Sequence, residues 1–80
     1  MKITIFGAGY VGLVTSTCLA EMGNSVTCID NNIDKIKNLN ELKIPIFEPG
    51  LTELISTNIN KRLFFTLDVQ SALSDCEIIF

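Results

Sequence analysis

Apolar residues fall along this chain in short blocks, and the blocks alternate in kind. Ile3-Thr4-Ile5-Phe6 is a compact run, long enough for one buried strand. From Tyr10 to Met22 the rhythm becomes helical. Val11, Val14, Cys18 and Met22 recur in steps of three and four on one face, with Leu13, Thr17 and Ala20 on a neighbouring stripe. Glu21 is the only charge in that stretch, so the pattern predicts a helix covered on both sides beside a central parallel strand. Gly23-Asn24 supplies the stop, and Ser25-Val26-Thr27-Cys28-Ile29 reads as a second strand.

The same alternation continues. Asn31-Asn32 can cap a helix through Asp34, Lys35, Ile36 and Leu39, with Ile33, Ile36, Leu39 and Leu42 at helical spacing. Two prolines in Lys43-Ile44-Pro45-Ile46-Phe47-Glu48-Pro49-Gly50-Leu51 forbid a regular helix and force an extended or turned path. Gly50 or Thr52 opens a short helix whose apolar face is Leu51, Leu54 and Ile55. Leu63-Phe64-Phe65-Thr66 is a third strand of strong β-formers. Asp68 caps a brief helix with Val69, Ala72 and Leu73, and Cys76 to Phe80 reads as a fourth strand. Strands alternating with helices predict an α/β class, a Rossmann-type doubly wound parallel sheet in the order 3-2-1-4, truncated after the fourth strand. On this reading residues 1–80 form a partial nucleotide-binding domain, the front part of a longer enzyme.

Composition narrows the field. A hydrophobic content of 48% suits a buried core, and a net charge of −3 gives no basic footprint for nucleic acid. There is no histidine, which removes the commonest general base and the commonest neutral metal ligand. Cys18, Cys28 and Cys76 make no close-spaced metal pattern, and none is expected to bind one. An odd cysteine count without a secretory signal points to reduced thiols in the cytoplasm, with Cys18 and Cys28 as small core residues. Ile3 to Ala20 is uncharged and close to membrane-span length. Three glycines and the hydroxyls of Thr4, Tyr10, Thr15, Ser16 and Thr17 interrupt it, however, so neither insertion nor export is expected.

The chemistry sits where the first strand breaks into Gly7-Ala8-Gly9-Tyr10-Val11-Gly12, a Gly-x-Gly-x-x-Gly. Gly7 allows a sharp turn out of the strand, Gly9 lets a pyrophosphate approach the backbone, and Gly12 lets the following helix pack closely. Amides at the helix start then face the phosphates. Alone the motif is weak, but a second strand ending in Asp30, about 20 positions further on, is its confirming context. A carboxylate there accepts from both hydroxyls of an adenosine ribose and repels a 2′-phosphate, which predicts NAD rather than NADP. Lys35, one turn into the next helix, can reach back toward that ribose or its phosphate, or stand as an ordinary surface lysine.

Two segments go further. Met1 to Thr15, running on through Cys18-Leu19-Ala20-Glu21-Met22-Gly23, closely resembles the amino terminus of the UDP-glucose 6-dehydrogenases, in the UDP-glucose/GDP-mannose dehydrogenase family. Ile44-Pro45-Ile46-Phe47-Glu48-Pro49-Gly50-Leu51 is similar to that family's Pro-Ile-x-Glu-Pro-Gly-Leu segment and is the more discriminating of the two. The resemblance implies a cytoplasmic NAD-dependent enzyme that oxidises UDP-glucose to UDP-glucuronate with two NAD⁺, working as a homo-oligomer, with no membrane or nucleic-acid partner. It implies a catalytic cysteine, and lysine, asparagine and aspartate partners, beyond residue 80, so this stretch holds no catalytic residue and is expected to show no turnover alone. It assigns the backbone at Gly7, Gly9, Tyr10, Val11 and Gly12 to the pyrophosphate, Asp30 to the ribose and Lys35 to the cofactor. Glu48 to Leu51 it leaves as a structural marker. Leu42 stands where the family often has glycine, and Leu67 where Thr-Thr-Asp is usual; neither departure is expected to touch the cofactor positions. GDP-mannose and UDP-N-acetylmannosamine dehydrogenases have similar amino termini. A non-catalytic NAD-sensing module or a flavin-binding front end would share the glycine motif and the acid but has no reason to carry Glu-Pro-Gly-Leu.

Overall fold

The structure, a computed structural model, describes residues 1–44, 48–74 and 76–79, with Ile78 and Ile79 described through the backbone alone. The expectations for Pro45, Ile46, Phe47 and Phe80 lie outside the described residues. The elements run β1 (Lys2–Phe6), α1 (Tyr10–Glu21), β2 (Ser25–Ile29), α2 (Ile33–Asn40), α3 (Leu51–Asn58), β3 (Leu63–Thr66), α4 (Val69–Leu73) and β4 (Ile78–Ile79). The strands form one parallel sheet in the order β3-β2-β1-β4.

Register explains why these strands cohere. Ile3 pairs with Val26, which pairs with Leu63; Ile5 pairs with Cys28, which pairs with Phe65. Residues opposite one another in a parallel ladder share a face, so these six buried side chains form two rows across one side of the sheet. The crossovers bring α1, then α2 and α3, over that side. Leu13 and Ala20 of α1, Ile36 and Leu39 of α2, and Leu51 and Ile55 of α3 complete the core there. Each large apolar side chain so buried contributes roughly 1.5–3 kcal/mol. Thr4 points to the opposite face, and its hydroxyl donates to the Ala72 carbonyl at 2.9 Å, placing α4 on that side. With cover from both sides, Ile3, Thr4 and Ile5 are all buried, as a central parallel strand requires.

α1 buries the stripe of Leu13, Thr17 and Ala20 that its spacing suggests, but not the face of Val11, Cys18 and Met22. Val11 and Met22 are 74% and 77% exposed and Cys18 is exposed, whereas Leu13, Ser16, Thr17 and Ala20 are buried. The cause is close packing. A Cβ added at Gly12 would lie 1.9 Å from the Gly7 carbonyl oxygen, so α1 approaches the preceding turn more nearly than any other residue would permit. That approach turns the small-residue face inward. The Ser16 and Thr17 hydroxyls are satisfied there by donating to the Gly12 and Leu13 carbonyls at 2.6 and 2.8 Å. Cys18 is therefore a surface residue rather than a core one, while Cys28 is buried as expected. Ile33 and Leu42 are likewise exposed, leaving Ile36 and Leu39 as the inner face of α2.

Candidate functional site

At the carboxyl ends of β1, β2 and β3 the chain opens a crevice of about 390 Å³ lined by Phe6, Gly7, Ile29, Asp30, Asn31, Leu67 and Val69. The end of β1 shapes one wall. The ladder continues one step past the strand, with Gly7 N donating to the Ile29 carbonyl at 2.7 Å. The backbone then turns through φ +97° at Gly7, a left-handed conformation that a residue with a Cβ adopts only at a cost.

The turn delivers Gly9 to the N-cap position of α1 with no side chain capping the helix. The first intrahelical bond of α1 runs from Leu13 N to the Gly9 carbonyl at 2.8 Å. Helix geometry therefore leaves the amides of Tyr10, Val11 and Gly12 without an i−4 carbonyl. A Cβ built on Gly9 meets no atom within 4 Å outside its two chain neighbours, so the rest of the fold leaves the space above it open. Open space, uncapped amides and the positive end of the helix dipole together suit an anion.

Asp30 follows β2 and bends into the same turn. Its Oδ2 accepts from Ala8 N at 2.9 Å and its Oδ1 from Asn32 N at 3.0 Å. These bonds, the one from Ala8 foremost, hold the carboxyl below the usual aspartate range. Asn32 in turn caps α2, its side chain accepting from Lys35 N at 3.1 Å. That cap places Lys35 one turn into the helix with Nζ 3.7 Å from Asp30 Oδ2. The glycine turn, the uncapped amides, Asp30 and Lys35 are thus assembled at one edge of the sheet.

The structure adds residues that motif reading passes over. Phe6, Leu67 and Val69 are partly exposed apolar residues bordering the crevice. Leu67 stands beside the same opening as Gly7 and Asp30, contrary to the expectation that this departure lies clear of the cofactor positions. Its signal was topological: a residue just past β3 in the order β3-β2-β1 must emerge at the end of the sheet where Asp30 emerges. Glu48 also reaches the site, its Oε2 accepting from the Tyr10 hydroxyl at 2.9 Å. Among the described residues no group of His, Cys, Asp and Glu could hold a metal, and no helix is long and apolar enough to cross a membrane.

Residues 1–80 match the NAD-binding domain of the UDP-glucose/GDP-mannose dehydrogenase family. The chain is similar to the UDP-glucose 6-dehydrogenase of Rhizobium meliloti, 47% identical over 81 residues, covering all of this chain and 18% of that protein. It is 49% identical over 80 residues to the UDP-glucose 6-dehydrogenase TuaD of Bacillus subtilis, covering 99% of this chain and 17% of the relative. Among solved structures, a ternary complex of GDP-mannose dehydrogenase from Pseudomonas aeruginosa superposes with a TM-score of 0.91 at 40% identity. That match covers all of this chain and 19% of the other. The chain therefore spans less than a fifth of the length of the relatives it matches.

Proposed function

The chain belongs to the UDP-glucose/GDP-mannose dehydrogenase family as its NAD-binding domain, and from that premise we propose which residues hold the cofactor and what the whole protein does with it. The observation that carries the reading is the meeting of Asp30 with the glycine turn, since it sets an anion site and a ribose acceptor side by side. The pyrophosphate lies over Gly7 and Gly9 and takes bonds from the amides of Tyr10, Val11 and Gly12. Asp30 accepts from the ribose hydroxyls. The 3.7 Å separation from Lys35 is too long for a hydrogen bond and leaves lone pairs on the carboxylate for that purpose. Lys35 supports the same ribose or its phosphate as a donor. The charge on Asp30 disfavours a 2′-phosphate, which selects NAD over NADP.

NAD⁺ supplies the hydride acceptor when bound. These 80 residues bind and orient it; the groups that handle the sugar belong to the part of the protein outside them. The whole enzyme oxidises the C6 alcohol of UDP-glucose to the carboxylate, giving UDP-glucuronate with two NAD⁺, in the cytoplasm and as a homo-oligomer. The two relatives above support that substrate by their names. A second reading, GDP-mannose as substrate, is supported by the close superposition on the Pseudomonas aeruginosa enzyme. Assaying the full-length protein with NAD⁺ and each sugar nucleotide, following NADH absorbance, decides between them. Turnover with UDP-glucose alone is expected. Turnover with GDP-mannose alone establishes the second reading, and turnover with neither removes both.

A further inference from the structure

Glu48-Pro49-Gly50-Leu51 is the segment that most clearly sets this chain apart from other glycine-motif proteins, yet no chemistry attaches to it in the reading above. The structure anchors it at both ends. Leu51 is buried in the core, its amide donates to the Glu48 carbonyl at 3.1 Å, and Gly50 caps α3 at φ +82°. At the other end the Glu48 side chain crosses to α1 and accepts from the Tyr10 hydroxyl at 2.9 Å. Tyr10 is the first residue of α1, and its amide is one of the three left uncapped over the open space at Gly9. Both partners are exposed, so the bond contributes little to burial.

We propose that Glu48 is a positioning residue for the dinucleotide site: through the Tyr10 hydroxyl it holds the aromatic ring and keeps the approach to the uncapped amides of α1 clear. The inference rests on the cofactor reading given above. A tyrosine ring at the first helical position swings on two side-chain torsions. Released, it sweeps the space beside Gly9 where the pyrophosphate must enter; held by a carboxylate, it does not. A hydroxyl-to-carboxylate bond is charge-assisted, and therefore stronger than a bond to a neutral acceptor. Donation to Glu48, and then the nearby negative charge, push the phenol above its ordinary range. Glu48 is the charged group acting on that phenol among the described residues.

In the full-length protein, the difference in tyrosinate absorbance between wild type and Tyr10→Phe during an alkaline titration reports Tyr10. The wild type is expected to titrate above free tyrosine, Glu48→Ala at the free value and Glu48→Gln in between, since glutamine keeps an acceptor and loses the charge. Calorimetric NAD titrations of the full-length protein and its variants form the second arm. Glu48→Ala and Tyr10→Phe are each expected to weaken binding about three- to tenfold, with no further loss in the double variant and most of the affinity recovered in Glu48→Gln. Thermal unfolding of these variants should stay at the wild-type midpoint, which separates positioning from a structural role. A wild-type phenol titrating at the free value overturns the proposal, as do losses that add in the double variant or full NAD affinity in Glu48→Ala. A wild type that titrates as expected but binds no NAD overturns the cofactor reading first, and the positioning role with it.

Discussion

The two ends of the sheet hold hydrogen-bonding groups in opposite ways. At the amino end Asn58 is buried at the close of α3 with both its side-chain N–H groups and its carbonyl oxygen engaged. It donates to Glu21 Oε2 at 2.7 Å and to the Leu54 carbonyl at 2.8 Å, and it accepts from Arg62 Nε at 2.9 Å. One side chain there ties α1, α3 and the approach to β3 together. At the carboxyl end the amides that open α1 have no side-chain cap, Gly9 faces open space, and Asp30 lies beside them with its charge intact. The first end spends its polar groups on the fold; the second keeps them for something outside the chain. The difference teaches where to look for binding: at the end where satisfaction is incomplete.

Substitutions can break either end separately. The largest effect belongs to Gly12→Ala, because its Cβ would collide with the Gly7 carbonyl, which is backbone rather than the end of a flexible side chain. Denaturant unfolding should show a loss of about 3 kcal/mol, with NAD binding lost as well. Gly9→Ala is its counterpart: the added Cβ meets no atom outside its chain neighbours, so stability should stay within about 1 kcal/mol while NAD affinity falls at least about tenfold. Equal destabilisation by the two would show that they do not differ in role.

Asn58→Ala tests the other end. It strands Glu21 and Arg62, and unfolding should report a loss of about 2 kcal/mol with the NAD affinity of the folded protein unchanged. Asp30→Ala tests the carboxyl end. Removing a charge-assisted acceptor worth about 1.5–3 kcal/mol lowers NAD affinity roughly tenfold or more and relaxes discrimination against NADP, as calorimetry would show. Its pH dependence has a definite sign. The bond from Ala8 depresses the carboxyl in the folded chain, so its contribution to stability is present above the ordinary aspartate range and is lost as pH falls through the lower folded value. Unfolding of the wild type followed down the acid range should show this loss, and Asp30→Ala should lack it. The smallest effect is expected of Leu67→Thr, which trims apolar surface at the rim of the crevice and should weaken NAD binding only about two- to fivefold.

Much of this was legible in the order of residue types. Short β-rich runs, helix caps at Asn32 and Asp68 and the glycine turn are local signals, and each formed where its own chemistry places it. The facing of α1 was legible only in part: the stripe of Leu13, Thr17 and Ala20 is buried as its spacing suggests, whereas Val11, Cys18 and Met22 are exposed, because periodicity ranks positions by hydrophobicity. What sets the rotation is a close approach at Gly12, which favours small side chains such as Ser16 and Ala20 over Val11 and Met22. Asn58 escaped notice for the same reason. A buried asparagine looks like a surface residue until its partners, up to 37 positions away, are brought to it. The meeting of Leu67 with Gly7 and Asp30 also depends on sheet order, which no single stretch of sequence contains.

The contrast between the two ends is tested most directly by amide chemical-shift mapping of the isotopically labelled chain as NAD is added. The amides of Gly7 to Gly12 and of Asp30 to Asn32 should move together with one binding constant, while those of Asn58, Lys61 and Arg62 stay where they were. Shifts centred on Asn58 and Arg62, or none at the glycine turn under saturating NAD, would contradict the assignment of the carboxyl end as the binding site.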